Sequence, residues 1–394
     1  MLLLSGALLT SPCYAATETP YVPVRDDIIL QTVPTVADPR VRAFEALRDY
    51  LARDPGDMQR AVALAKAYVD YGRATGDARY LGRAEAVIAP WLARTPTSIP
   101  VGLVQATILQ SRHFFGEARA QLQAIVQREG DNAQAWLTLA TVAQVQGDMT
   151  GARHACAHLL DASDPLIPAG CLSSLNAVDG HAETAYRTLM QLWPQAKAEP
   201  VDVQSWLQGI LADTARYMGD AAAADDHFRT ALQLTPGDNF LLADYGDFLL
   251  EQGRAQDALQ LVRNDAQSDT SFLRQVYAES ALGLPQASSD AEEMRRRFAA
   301  LELRGTRTYM REQAGFELRI GHDPRRALAL AVENWSMQRA PEDMRILLES
   351  ALAAAQPQAA QPALAQLDAM HLQYPVVLAL AGQVRTRRKA GTMP

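Results

Sequence analysis

The sequence predicts an all-α fold, a solenoid of about nine helix-turn-helix units, and three observations carry that expectation. First, nine alanines recur at Ala84, Ala118, Ala152, Ala185, Ala224, Ala258, Ala291, Ala327 and Ala363, with spacings of 34, 34, 33, 39, 34, 33, 36 and 36 residues. An interval near 34 residues is the period of a stacked helical hairpin. Second, each alanine lies in an apolar pattern of helical period, and most follow a turn signal such as Gly147-Asp148, Gly219-Asp220, Gly253-Arg254 or Gly321-His322-Asp323-Pro324. A small side chain there lets two antiparallel helices cross closely. Third, aromatics are only 7% of the chain, aliphatic and small residues dominate, and long alternating Val/Ile/Thr stretches are missing, so no sheet is expected.

Taken in order, residues 1–15 form a short apolar run that ends in small residues, the pattern of a secretory signal peptide with cleavage after Ala15. The run is shorter than the ~20 apolar residues needed to span a bilayer. Residues 16–53 read as an extended leader with an N-terminal cap helix; four prolines between 17 and 40 break any helical period, and the apolar triplet Ile28, Ile29 and Leu30 is expected to dock on the first helices as a cap, the alternative being a leader that reaches another protein. Residues 54–373 form the repeat array. Asp54-Pro55-Gly56-Asp57, Asp164-Pro165, Pro236-Gly237-Asp238 and Pro341-Glu342-Asp343 combine a rigid proline with a capping carboxylate, which marks helix starts where new units begin. The 39-residue interval before Ala224 implies an insertion around Trp193 to Pro200. Residues 374–394 hold a final capping helix after Tyr374-Pro375 and a basic tail, RTRRKAGTMP. In a stacked array each unit buries its apolar face only against its neighbours, so one extended array is expected rather than two or three compact domains.

The unit from Val203 to Pro236 shows the repeat most fully: Ala224, Phe228, Ala231 and the closing Pro236. The unit from Ala133 supplies the other half, with Trp136, Leu139 and Ala140 on its first helix, Gly147 at the turn and Ala152 on the second. Over roughly residues 57 to 371 this resembles the tetratricopeptide repeat. The resemblance implies a right-handed superhelix whose concave surface is lined by the first helix of each unit and which captures a protein or peptide. Projected onto that surface, Trp206, Asp213, Arg216, Tyr217, Phe240, Asp247, Glu251, Tyr309 and Phe316 become the expected partner-binding residues. The Lys and Asn pattern with which cytosolic chaperone adaptors of the family grip a terminal carboxylate is missing, since Leu137 and Thr141, or Gly209 and Asp213, occupy the matching places.

Removal of the signal leaves Cys156 and Cys171, an even number in an oxidising compartment. Counting by the repeat puts them on packed neighbouring helices; a disulfide is the expectation, two buried thiols the alternative. Chemistry is otherwise sparse. There is no phosphate-cradling GxxxxGK loop, no GxGxxG, no GxSxG and no HExxH, so no enzyme and no cofactor is expected. His154 and His158, four apart on one helix face, are a weak metal candidate. A net charge of −8 argues against nucleic acid as the main partner. The expectation is a non-enzymatic scaffold, periplasmic or secreted, that binds another protein or peptide of the cell envelope for assembly or secretion; the alternative is a periplasmic metal or small-ligand handling protein.

Overall fold

Acidic caps and left-handed turns divide the chain into hairpins. A computed structural model describes residues 38–265 and 268–391. Two units are distinguished, Met1–Ala43 and Phe44–Pro394. In the first, the described residues open the helix α1 (Pro39–Arg53), where Asp38 accepts hydrogen bonds from the Arg40 amide and guanidinium. The expected signal peptide and the triplet Ile28–Leu30 lie outside the described residues.

In the second unit nine helical hairpins follow one another among the described residues, and no strand is among them. They are α2 (Met58–Thr75) with α3 (Arg79–Arg94), α4 (Ile99–Ser111) with α5 (Phe115–Arg128), α6 (Ala133–Val145) with α7 (Met149–Ala162), α8 (Leu166–Val178) with α9 (Ala182–Ala196), and α10 (Val201–Met218) with α11 (Ala221–Leu234). The remaining four are α12 (Asn239–Glu251) with α13 (Ala255–Val262), α14 (Asp269–Leu282) with α15 (Ala287–Leu303), α16 (Met310–Phe316) with α17 (Pro324–Trp335), and α18 (Pro341–Ala353) with α19 (Gln361–Met370); α20 (Pro375–Gly391) closes the series. The fold is the all-α solenoid that the period predicts.

The punctuation falls where the sequence put it. Asp57, Asp148, Asp220 and Asp238 accept a backbone N–H from the first turn of α2, α7, α11 and α12, satisfying donors that have no partner inside the helix. Every periodic alanine lies on the second helix of its hairpin. Eight are at most 1% exposed and Ala291 is 8% exposed, as close helix crossing requires. The 39-residue interval is absorbed chiefly by α10, which has 18 residues where α4, α6, α8 and α12 have 13.

One expectation is corrected: the hairpins do not contact only their neighbours. The Arg339 amide, just before α18, donates to the Val145 carbonyl at the end of α6 at 2.8 Å. Tyr217 on α10 donates to Glu342 on α18 at 3.2 Å, and its ring lies 5.2 Å from that of Tyr374. Ala177, Val178, Ala185 and Tyr217 share one apolar core with residues of α17 to α20. The array therefore returns on itself, and the turns of early hairpins seat against the helix starts of late ones. The basic run is also reassigned. Arg385 and Arg387 lie within α20, on a largely exposed surface, where they pair with Asp368 and the Leu352 carbonyl, so the run as far as Gly391 is helix rather than tail.

Gly76, between α2 and α3, shows how tight the closure is. Its φ is +68°, and a Cβ there would sit 2.8 Å from both Asn239 Oδ1 and Ser268 Oγ at the starts of α12 and α14. Backbone strain and this clash act together, so Gly76→Ala is expected to lower stability by about 2 kcal/mol in urea melts. A variant within a few tenths of a kcal/mol of the parent would mean that this contact is loose.

Candidate binding groove

The first helices of the last five hairpins present charged residues at helical spacing on one face. On α10 these are Asp213 and Arg216; on α12, Asp244, Asp247 and Glu251; on α18, Glu342, Arg345 and Glu349. Helix α14 contributes Arg274 and Tyr277, and α16 contributes Arg311 and Glu312. A π-helical turn, Glu317–Gly321, then follows α16 and brings Arg319 and Ile320 to the same space. Such turns interrupt the i→i+4 ladder and recur at functional sites. Together these helices enclose a cavity of about 370 Å³ with an apolar floor of Leu250, Leu273, Ile320 and Ile346, and with Ser280 and Ala281 exposed at its edge.

Most of the charges on its walls are paired. Arg216 donates to Glu251 at 2.7 Å, Arg345 bridges Glu251 at 2.6 Å and Glu349 at 2.7 Å, and Arg319 reaches Glu349 at 2.8 Å. Tyr374 also donates to Glu251. On the opposite wall Arg274 holds Asp247 at 2.9 and 2.5 Å, and Arg311 pairs with Glu312 at 3.0 Å. Burial alone would push the Glu251 carboxyl up, but the Arg216 and Arg345 guanidiniums outweigh it and hold that carboxyl below its ordinary range. The same contest, won by Arg274, lowers Asp247. Gly315 has a packing role here, since a Cβ would sit 2.7 Å from Arg319 Nη1 and 2.9 Å from the Tyr277 hydroxyl.

Asp213 and Asp244 differ. Burial, and then the neighbouring carboxylates Asp244 and Glu342, raise Asp213 well above its usual range. Burial and then Glu342 push Asp244 up to about 6. Neither forms an ion pair among the described residues, and the nearest base to Glu342 is Arg216 at 3.5 Å.

Of the residues projected onto the concave face, Asp213, Arg216, Asp247 and Glu251 come together around this cavity. Arg216 is buried in its ion pairs rather than free. Tyr217, 5% exposed, and Phe316, 1% exposed, are core residues, which corrects their reading as open anchors. Phe316 packs edge-on against Phe298 with ring centroids 5.5 Å apart, and Tyr309 backs the same core. Trp206 fills the gap left by Gly170 on α8, where a Cβ would lie 2.6 Å from its ring, so it joins two neighbouring hairpins. Phe240 is 52% exposed, with the Arg73 guanidinium 5.7 Å from its ring centroid. Sequence reasoning missed Arg274, Arg319, Arg345 and Glu349, although extending the same face to the last three hairpins reaches all but Arg319, which the π-turn displaces.

Cys156 on α7 and Cys171 on α8 are joined as a disulfide, Cα to Cα 5.7 Å. His158 stacks on Trp136 at 4.0 Å and His154 meets both rings edge-on. Among the described residues no group of three or more His, Cys, Asp or Glu is arranged to hold a metal ion, and no helix is long and apolar enough to cross a membrane.

No protein-family model matches the chain. It is 31% identical over 202 residues to the cellulose synthase operon protein C of Escherichia coli K12, a match that covers 45% of this chain and 17% of that protein. The chain thus spans about a sixth of the length of the curated relatives it matches. Among solved structures it is similar to a tetratricopeptide repeat protein from Parabacteroides merdae, with 12% identity, a TM-score of 0.37 and coverage of 78% of this chain and 99% of the other. It is also similar to pilF of Pseudomonas aeruginosa, with 18% identity, a TM-score of 0.37 and coverage of 50% and 90%. Nine hairpins at a period near 34 residues, a buried alanine on each second helix and first helices lining the groove give the chain a tetratricopeptide-like helical-hairpin solenoid fold.

Proposed function

We propose that this chain is a non-enzymatic scaffold of the cell envelope, periplasmic in location, that holds a protein or extended peptide segment in the groove of its last five hairpins. The observation that carries the reading is the cavity itself: an apolar floor between charged walls, edged by exposed Ser280 and Ala281, is suited to a peptide chain with mixed side chains. Every guanidinium lining the cavity is engaged with a carboxylate, which supports binding rather than chemistry. The likeness to a cellulose synthase operon protein supports a partner from machinery that makes or exports a polysaccharide. The disulfide supports an oxidising compartment.

A photo-crosslinking residue at Ser280, with one at exposed Thr188 on α9 as control, tests this in intact cells. Adducts from Ser280 are expected to contain an envelope protein of a polysaccharide-producing complex, with none from Thr188. Equal adducts from both positions, or a cytosolic partner, would overturn the reading.

A further inference from the structure

The charge on the groove walls says what kind of segment fits. The cavity lining alone is balanced, with five guanidiniums facing five carboxylates. Asp213 and Asp244 lie just beside it on the same helix faces, and their electrostatic neighbours are Glu342, Arg216, Asp247 and Arg311. Counting them, seven carboxylates face five guanidiniums. The surplus is concentrated at one end, between α10, α12 and α18. There the nearest base to Glu342 is Arg216, at 3.5 Å, and Asp213 and Asp244 have no ion pair among the described residues. Like charges held together in a half-buried site oppose one another until a cation joins them. Leu250, Leu273, Ile320 and Ile346 supply the apolar part of the same lining.

Resting on the scaffold reading above, we infer that the groove's partner is an extended segment carrying lysine or arginine beside apolar side chains, with a basic side chain seated among Asp213, Asp244 and Glu342. The basic group supplies the charge that this end of the groove lacks, and the apolar side chains cover the floor. An acidic segment would meet the surplus carboxylates and be repelled.

The test uses short synthetic peptides of Leu-Lys-Gly repeats, blocked at both ends and fluorescently labelled, with Gln and Glu versions. They are titrated into the full chain at physiological ionic strength, where exposed charges more than about 8 Å apart are screened. The Lys peptide is expected to bind at least about tenfold tighter than the Gln peptide, and the Glu peptide not at all. The Asp213→Asn/Asp244→Asn double variant should lose about that tenfold preference, as should Glu342→Gln, while Glu292→Gln/Glu293→Gln on α15 should keep it. The Asn pair removes repulsion between buried like charges, so it is expected to fold, with an unchanged helical signal as the check.

Protonation gives a second readout. Asp244, facing Glu342 from α18, Asp213 and Arg216 from α10, Asp247 from its own helix and Arg311 from α16, becomes neutral as pH falls through about 6. Lys-peptide affinity should therefore weaken on acidification in the parent and stay flat in the double variant. Equal binding of Lys and Gln peptides, no binding of the Lys peptide, or an unaffected double variant each overturns the basic-partner inference. If Ser280 adducts still form in that event, the scaffold reading survives; if they are absent, the scaffold reading is the one that has failed.

Discussion

Arg216→Ala is expected to lower stability by about 3 kcal/mol, because it removes the central cation of a buried network. The Arg216 side chain is 3% exposed and Glu251 is 6% exposed, so neither charge is hydrated enough to stand alone. Arg216 also lies 5.2 Å from the Tyr374 ring centroid, and its loss leaves Glu251 to Arg345 and the Tyr374 hydroxyl. The effect reaches past one ion pair because Glu251 on α12, Arg345 on α18 and Tyr374 before α20 are where the late hairpins meet the middle ones. Urea melts of Arg216→Ala, Glu251→Gln and the double variant measure it. The two losses should be strongly non-additive, since either change already breaks the shared pair. The pH dependence has a definite sign. Glu251 is held below its ordinary value in the folded chain, so its contribution is present at neutral pH and is lost as pH falls through the lowered value. A loss below about 1 kcal/mol would place this pair with ordinary solvated surface bridges.

The repeats were legible in the sequence because their signals are local. Ala84 to Ala363 mark where two helices of one hairpin cross, Asp57 and Asp238 cap the helices that follow them, and Cys156 and Cys171 sit on adjacent helices by counting alone. Helix period also gave the face that carries Asp213, Arg216, Asp247 and Glu251. It does not give what stands opposite that face. Tyr217 and Glu342 are 125 residues apart, and their meeting depends on the rotation summed over several hairpins, to which each unit adds a small angle that no single repeat encodes. Tyr217 therefore read as open when it is a closing contact. Phe316 was misread for a different reason. It ends α16 just before the π-turn and packs against Phe298 in the core formed with α14 and α15, a contact with the preceding hairpin that helix period alone does not give, while Arg319 in the turn lines the groove. Trp206 was weighed as an anchor because the size of a ring says nothing of its neighbour; Gly170, on the preceding hairpin, is what makes room for it.

Reduction of the Cys156–Cys171 bridge should cost a similar amount to loss of Arg216, by a different route. The bridge closes a loop of 15 residues between α7 and α8, and limiting the unfolded chain over such a loop is worth about 3 kcal/mol in the chain-entropy account. Both cysteines are buried, at 0% and 4% exposure, in the core shared by the second, third and fourth hairpins, so cutting the link leaves small apolar groups in place. Cys156→Ala/Cys171→Ala is therefore expected to unfold at lower urea with its helical signal intact before the transition. Reductant added to the parent should shift its midpoint toward that of the double variant and leave the variant itself unmoved. This pairing separates the bridge from any packing lost with the two sulfurs, because reduction keeps both sulfur atoms where they are. If reductant moves neither protein, the bridge contributes nothing to stability, and the argument from the disulfide to an oxidising compartment goes with it.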